Sequence, residues 1–221
     1  MNEFWMLVGL SLLPGLGNFL GGMTAEFFTT SPRRLNLALH TASGIVIGVV
    51  AIELMPEALN NLAGWWIAAA FAAGGAAYIG VEALIGRMTS SRQSGSSGSM
   101  WMIYVAVAVD LMGDGFMIGS GSAVAVSLAV VLTAGQVLAD IPEGYAVVAN
   151  LRAKGVSRRW RIAASLSFAL FCVSAAVIAW FLLRTAPDAL KYVALSFVAG
   201  LLTVAAVEDC PSSGFLGQLS V

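Results

Sequence analysis

Seven apolar segments of membrane-crossing length dominate this sequence, at residues 4–29, 35–60, 62–86, 100–120, 122–152, 159–183 and 189–209. An α-helix needs about 20 apolar residues to cross the hydrocarbon core of a bilayer. Only 10% of the residues are charged and 59% are hydrophobic, whereas soluble domains carry roughly 25% charged residues. The sequence therefore predicts an all-α fold, a polytopic transmembrane helical bundle of about seven spans.

The spans are expected to form a single transmembrane domain over residues 1–221. The longest polar stretch, at about 88–99, is rich in Gly and Ser and predicts a flexible cytoplasmic linker between the third and fourth spans. The formal net charge of −1 leaves no basic stripe that could neutralise phosphates, so no nucleic-acid partner is expected. Cys172 lies within an apolar span and is expected to be an inert packing thiol.

Arginine and lysine are distributed unequally between the two ends of the spans. With the N-terminus outside, nine of them fall near inner connections and two near outer ones. Cytoplasmic loops carry an excess of Lys and Arg, so this distribution predicts an outside N-terminus and an inside C-terminus. The expected location is the bacterial inner membrane. The inner residues are Arg33, Arg34, Arg87, Arg92, Arg152, Lys154, Arg158, Arg159 and Arg161, and the outer ones are Arg184 and Lys191.

Two acidic motifs interrupt the fourth and fifth spans, with Asp110 and Asp114 in the first and Asp140 and Glu143 in the second. A carboxylate at the centre of a bilayer costs about 2.5–3.5 kcal/mol on insertion scales. The two acids of each motif are about one helical turn apart, so each pair shares a helical face. A connection of a residue or two near Gly121 would make the two helices antiparallel neighbours. The four carboxylates are therefore predicted to converge near the bilayer midplane.

A bound cation is the most direct counter-charge for these acids, because no lysine or arginine lies near them within the membrane. Crowding of like charges implies that the empty site holds protons and releases some when a divalent ion binds. Pro142 lacks an N–H and is expected to free the carbonyl of Leu138 beside the acids. Gly115 and Gly119 are expected to let the backbones of the fourth and fifth spans approach each other closely. The alternative is that the acids are neutral packing groups that only form hydrogen bonds.

Five further polar residues are weaker candidates for a metal path: His40, Glu53, Glu57, Glu208 and Asp209. His40 is the sole histidine and lies near the inner end of the second span, where an interfacial polar residue needs no function. Glu53 and Glu57 lie towards the outer end of that span. They either attract ions towards the site, as an entry funnel, or are ordinary surface acids. Glu208 and Asp209 lie at the inner end of the seventh span. They either line the exit of the metal path or are solvated acids at a helix end.

A short pattern, Ala-x-Glu-x-x-Pro, occurs at the ends of two spans, over residues 51–56 and 206–211. On the expected topology these two spans cross the bilayer in opposite directions. An inverted repeat, which is common in transporters, would leave such a pattern. Chance similarity between two apolar helix ends is the alternative.

The motifs resemble those of the ZIP (Zrt/Irt-like) divalent metal transporters, in particular the prokaryotic type. Residues 40–58 are similar to the second helix of that family. Residues 140–144, with the basic run at 151–159, are similar to its fifth helix and the turn that follows. The resemblance covers nearly the whole chain and implies a helical bundle with inverted repeats. Members of the family have eight spans, whereas about seven are expected here, so the last helix has no counterpart.

The resemblance implies a permease that moves zinc, iron or manganese into the cytoplasm, with the metal ion as its substrate. Residue by residue, it assigns the ion to Asp110, Asp114, Asp140 and Glu143. No organic cofactor and no enzymatic activity are implied, and an intramembrane aspartyl protease is a minor alternative. The expected partners are the lipid bilayer and the transported ion, and a homodimer stays open.

The sequence departs from the family pattern at three positions. Asp110 and Leu111 stand where the fourth helix of the family has His and Asn, and Ala139 stands where its fifth helix has His or Gln. Zinc prefers nitrogen and sulfur donors, whereas oxygen sites suit manganese, so selectivity is expected to shift towards manganese or iron or to be broad. A degenerate, non-transporting ZIP-like membrane protein is the alternative function.

Overall fold

The computed structural model describes residues 2–29, 31–90 and 96–208, and these residues form helices joined by short turns. The second span is built from α2, a π-helical turn and α3, and every other span is one helix. The described part of the chain contains seven spans that are long and apolar enough to cross a membrane. The prediction of an all-α polytopic membrane bundle is confirmed. The elements are α1 (Asn2–Phe27), α2 (Pro32–Val49), the π-helical turn (Val50–Leu54), α3 (Met55–Asn61), α4 (Gly64–Ser90), α5 (Ser96–Val124), α6 (Val126–Ala153), α7 (Arg158–Leu183) and α8 (Asp188–Glu208).

The connection between α5 and α6 lies at Ala125 and not near Gly121, where the sequence predicts it. Ala125 alone adopts an extended backbone, and its N–H donates to the carbonyl of Gly121 at 2.8 Å. Gly121 itself is helical, and a methyl group there would collide with Leu132 of α6. The two helices are antiparallel neighbours, as expected, but the turn comes one helical turn later.

The π-helical turn in the second span lies directly before Pro56. A proline ring within a helix clashes with the carbonyl four residues earlier, here that of Ile52, and offers no N–H to it. The wider turn accommodates this defect, and the N–H of Met55 donates to the carbonyl of Val50 across it. Glu53 lies within this turn.

The predicted linker at 88–99 is helical at both margins, because α4 extends to Ser90 and α5 begins at Ser96. Residues 91–95 of this linker lie outside the described part of the chain. The repeat pattern at 206–211 is likewise described only as far as Glu208, so the inverted repeat stays a prediction.

The helices form two groups that meet along one interface. Helices α1, α5, α6 and α7 pack most extensively on each other and form the first group. The second group consists of α8, of α4, which packs along α8, and of α2 and α3, which also contact α8. The groups meet where α2 packs against α6 and where α8 packs against α5.

Glycines allow helices within each group to touch backbone to backbone. A methyl group at Gly115 would collide with the carbonyl of Cys172, and one at Gly119 with that of Ala176. The expected small-residue pair therefore does bring two helices together, but its partner is α7 and not α6. Cys172 is a buried free thiol in this contact, as expected. Gly144 of the second acidic motif packs in the same manner against the backbone of α1.

An ion-pair cluster joins α1 to α7 at the end of the bundle that we call the basic end, defined by Arg152, Arg158 and Arg161. Arg161 donates from Nε and Nη2 to the two carboxylate oxygens of Glu26, at 2.6 and 2.8 Å. Both side chains are buried, with exposed fractions of 9% and 6%. Arg152 donates to the carbonyl of Ala25 at the end of α1, at 3.1 Å. The end of α1 is thus held by charged partners from the α6–α7 connection.

We predict that Gly74→Ala destabilises the protein and that Gly80→Ala does not. Both glycines lie in α4, but a methyl group at Gly74 would collide with the carbonyl of Phe197 in α8, whereas nothing lies within 4 Å of one at Gly80. Overpacking of this kind costs about 1–3 kcal/mol, and Ala in an open helix position is favourable by about 0.5–1 kcal/mol. Thermal unfolding in detergent measures both. Equal stability of the two variants would contradict the α4–α8 contact.

We predict that Arg161→Ala destabilises the protein by on the order of 3 kcal/mol, because it leaves the buried Glu26 carboxylate without its bidentate partner. Arg159→Ala is the matched control, since Arg159 is an exposed arginine two residues away in the same helix. Unfolding measurements in detergent at neutral pH compare the two. A loss of the same size in both variants would show that general charge, and not this ion pair, matters at the basic end.

Candidate functional site

A cavity of about 250 Å³ lies between the two helix groups and contains all four predicted acids. Helices α5 and α6 supply one wall, and α2 and α8 supply the other. The lining residues are Leu39, Ala42, Ser43, Val46, Ile103, Val107, Asp110, Asp114, Gln136, Ala139, Asp140, Glu143, Ala146, Val147, Asn150, Leu202, Ala205 and Ala206. The structure therefore brings Asp110, Asp114, Asp140 and Glu143 to one cavity, as the helical spacing predicts.

The four acids differ in depth. Asp114 and Asp140 are each only 1% exposed. Asp110 and Glu143, one turn nearer the basic end, are half-buried, and Asn150 near the end of α6 is exposed. Among the polar residues of α5 and α6 that line the cavity, exposure thus increases from the membrane interior to the basic end. The cavity opens towards that end of the bundle.

The opposite end of the cavity is closed by apolar side chains. Leu54 of the π-helical turn, Met117 and Ile118 of α5 and Leu132 of α6 are fully buried in one hydrophobic cluster beyond the deepest acids. Val198 and Leu202 of α8 complete the cluster from the second helix group. This cluster therefore separates Asp114 and Asp140 from the end of the bundle opposite the basic end.

Gln136 is a site residue that the acidic motifs do not include. It is 3% exposed and lines the closed end of the cavity. Its side-chain Nε2 donates a hydrogen bond to Asp114 Oδ1. A signal for it existed in the sequence, because Gln136 is a polar residue in an apolar span, four residues before Asp140 and thus on the same helical face.

The polar atoms that line the cavity are mostly oxygen acceptors. Besides the four carboxylates, the side-chain oxygens of Ser43, Gln136 and Asn150 belong to the cavity lining. No lysine, arginine or histidine is among the residues that line it. Asp140 Oδ2 and Gln136 Oε1 are buried and accept no hydrogen bond. Such a lining favours a cation and disfavours an anion.

The acids surround the cavity and do not converge on one point. Within residues 2–29, 31–90 and 96–208, no group of three His, Cys, Asp or Glu side chains has the spacing of a preformed metal site. A cation that used three of these carboxylates together would therefore require side chains or helices to move closer. Asp114 is already engaged by Gln136.

The five weaker candidates lie outside the cavity or outside the described residues. His40 is exposed on α2, and its Nδ1 lies 2.7 Å from the carbonyl of Asn36 in the same helix. Glu53 and Glu57 are half-buried near the end of the bundle opposite the basic end. Glu208 is exposed at the end of α8, and Asp209 lies outside the described part of the chain. Their roles along a metal path stay predictions.

Pro142, which the sequence places beside the acids, does not line the acidic cavity. It lies inside α6, which continues through it as far as Ala153. Pro142 and Leu138 face a separate groove beside α1 and α2, and neither lines the acidic cavity. The residues of α6 that line the cavity lie on another face of the helix. The ring of Pro142 and the side chain of Leu138 therefore lie outside the acidic cavity.

No protein-family model matches the sequence, and no curated protein has a significantly similar sequence. The chemistry available to the site therefore has to follow from its own residues.

We predict that a cysteine at Ala146 reacts with a water-soluble thiol reagent and that a cysteine at Leu54 does not. Ala146 lines the open part of the cavity, whereas Leu54 is fully buried in the apolar cluster. Both cysteines are made in a protein in which Cys172 is replaced by Ala and Cys210 by Ser. We expect the cysteine at residue 146 to be labelled at least about tenfold faster than the cysteine at residue 54, because only an accessible thiolate reacts.

The labelling rate is measured in native membranes with an impermeant reagent added to one side at a time. Complete reaction of both variants in dodecyl sulfate provides the control. Similar native rates at the two positions would contradict one-sided access.

Proposed function

We propose that this protein is a ZIP-like membrane permease for divalent metal ions. The observation that carries the proposal is the cavity lining: four intramembrane carboxylates and a buried glutamine share one space that no basic side chain lines. Charged groups in hydrocarbon are costly and mark ion pathways when no counter-ion of the protein neutralises them. The motifs in the second and fifth spans that resemble ZIP transporters support the same proposal.

The ion would bind between the two helix groups. Rigid movement of α1, α5, α6 and α7 relative to the other spans would open the apolar cluster at one end and close the cavity at the other. Close glycine contacts join α5 to α7 and α6 to α1 in the first group, and α4 to α8 in the second. Helix α2 contacts both α6 and α8 and lies where the two groups meet. This arrangement supports alternating access to one central site.

The direction of transport follows from the expected orientation. If the basic end faces the cytoplasm, as the positive-inside rule predicts, the cavity is open to the cytoplasm and closed to the outside. A metal ion would then enter from outside when the apolar cluster opens, and leave past Asp110 and Glu143. Protons that crowded carboxylates retain in the empty site are candidates for exchange with the ion.

Manganese and iron are the substrates that the lining favours. All side-chain ligands in the cavity are oxygens, and the sole histidine of the sequence, His40, is exposed outside it. Zinc gains most from imidazole and thiolate ligands, so it would lose its usual advantage here. Metal uptake in which zinc outcompetes manganese by a wide margin would contradict this preference.

The alternative is a degenerate ZIP-like protein that does not transport. It is favoured by one observation, namely that the described acids do not form a compact group of three ligands. In that case the acids would be neutral packing groups, and the protein would act in the membrane only as a partner of other proteins.

We predict that Mn²⁺ stabilises the purified protein and that Asp140→Ala and Glu143→Ala reduce this effect. A ligand that binds only the folded state at 100 times its Kd stabilises by about 2.7 kcal/mol. Thermal unfolding in detergent is measured with Mn²⁺, Fe²⁺, Zn²⁺ and Cd²⁺. Uptake of Mn²⁺ into proteoliposomes with the same variants then tests transport.

Glu82→Ala is the matched control, because Glu82 is an exposed acid of α4 that does not line the cavity. We expect this variant to keep the metal-dependent stabilisation and the uptake. Stabilisation without uptake would favour the non-transporting alternative, and no stabilisation by any of the four metals would contradict a metal site.

A further inference from the structure

The buried amide of Gln136 has two ends with different environments. Its Nε2 donates to Asp114 Oδ1, whereas its Oε1 is buried and accepts no hydrogen bond. Buried polar atoms in proteins are almost always hydrogen-bonded, so an amide oxygen without a donor calls for an explanation. A bound ligand that this oxygen contacts would supply one.

A second buried acceptor lies on the same face of α6. Asp140 follows Gln136 by four residues, which brings the two side chains to neighbouring positions on one helical face. Asp140 Oδ2 is also buried and accepts no hydrogen bond. Both residues line the closed end of the cavity, opposite Asp114 of α5. Two acceptors without donors, beside a third that Gln136 binds, make this end of the cavity electronegative.

We propose that Gln136 is a further ligand of the transported divalent cation and that its neutral oxygen helps to select manganese over zinc. This inference rests on the proposed function. The cation binds Gln136 Oε1 together with carboxylate oxygens of Asp114 and Asp140, and the Gln136–Asp114 hydrogen bond is exchanged for contacts to the ion. An amide oxygen is a hard donor that suits Mn²⁺, whereas Zn²⁺ gains more from a nitrogen ligand.

Three substitutions at Gln136 separate metal binding from hydrogen bonding. Gln136→Leu removes the oxygen and the N–H group, and we expect it to weaken Mn²⁺ binding at least about tenfold. Gln136→Glu keeps an oxygen at the same place, although an ionised carboxylate cannot donate to Asp114. We expect Gln136→Glu to bind Mn²⁺ as tightly as the wild type or more tightly. Gln136→His supplies a nitrogen donor, and we expect it to raise the ratio of Zn²⁺ to Mn²⁺ affinity about tenfold.

The affinities are measured by metal titration of the purified full-length protein in detergent, with Mn²⁺ and Zn²⁺ in turn. Thr133→Val is the matched control, because Thr133 is a buried polar residue of α6 that bonds to its own helix and does not line the cavity. We expect its affinities to equal those of the wild type. If Gln136→Leu does not fold, the shift in metal ratio for Gln136→His decides the question.

The inference is overturned if Gln136→Glu loses as much Mn²⁺ affinity as Gln136→Leu, since Gln136 would then act only as a hydrogen-bond donor that positions Asp114. It is also overturned if Gln136→His leaves the metal ratio unchanged. In both outcomes the wild type still binds metal and the proposed function stands. Absence of Mn²⁺ and Zn²⁺ binding by the wild type itself would instead count against the proposed function, and the inference would fall with it.

Discussion

The cost of burying carboxylates in an apolar bundle is the constraint on which the rest of this structure depends. Asp114 and Asp140 are almost fully buried in the middle of membrane-length helices. Their burial is tolerated because the helices around them do not close completely and leave a cavity that opens towards the basic end. A bundle of the same helices packed without that cavity would leave these groups in hydrocarbon, at a cost of several kcal/mol.

Glycine contacts explain how a close-packed bundle can also contain this cavity. Gly115 and Gly119 draw α5 towards α7, on the side away from α2, and Gly144 draws α6 towards α1. The cavity-lining faces of α5 and α6 are thereby held by close backbone contacts on their other sides. In membranes, such contacts between small residues replace the hydrophobic effect as the force that joins helices. The acids therefore lie on a rigid wall that the second helix group faces.

The sequence predicts the spans and the position of the acids well, because both follow from helical periodicity. The shared faces of Asp110 with Asp114 and of Asp140 with Glu143 need only the pitch of an α-helix. Periodicity does not predict which neighbouring helix the other faces of each helix contact. Gly115 was expected to face α6 but contacts α7, and Pro142 was expected beside the acids but faces a different groove. These assignments depend on how seven helices pack in three dimensions.

Two kinds of buried acid in this chain differ in how their charge is balanced. Glu26 accepts hydrogen bonds from Nε and Nη2 of Arg161, and Nε of Arg158 lies 3.7 Å from the same carboxylate. The chain thus neutralises a buried carboxylate with its own side chains where a fixed joint between α1 and α7 is needed. The cavity lining instead contains two amides, a hydroxyl and four carboxylates, and none of its residues is basic. A permanent internal counter-charge would compete with an arriving cation, so the absence of a basic residue from the lining supports the proposed function.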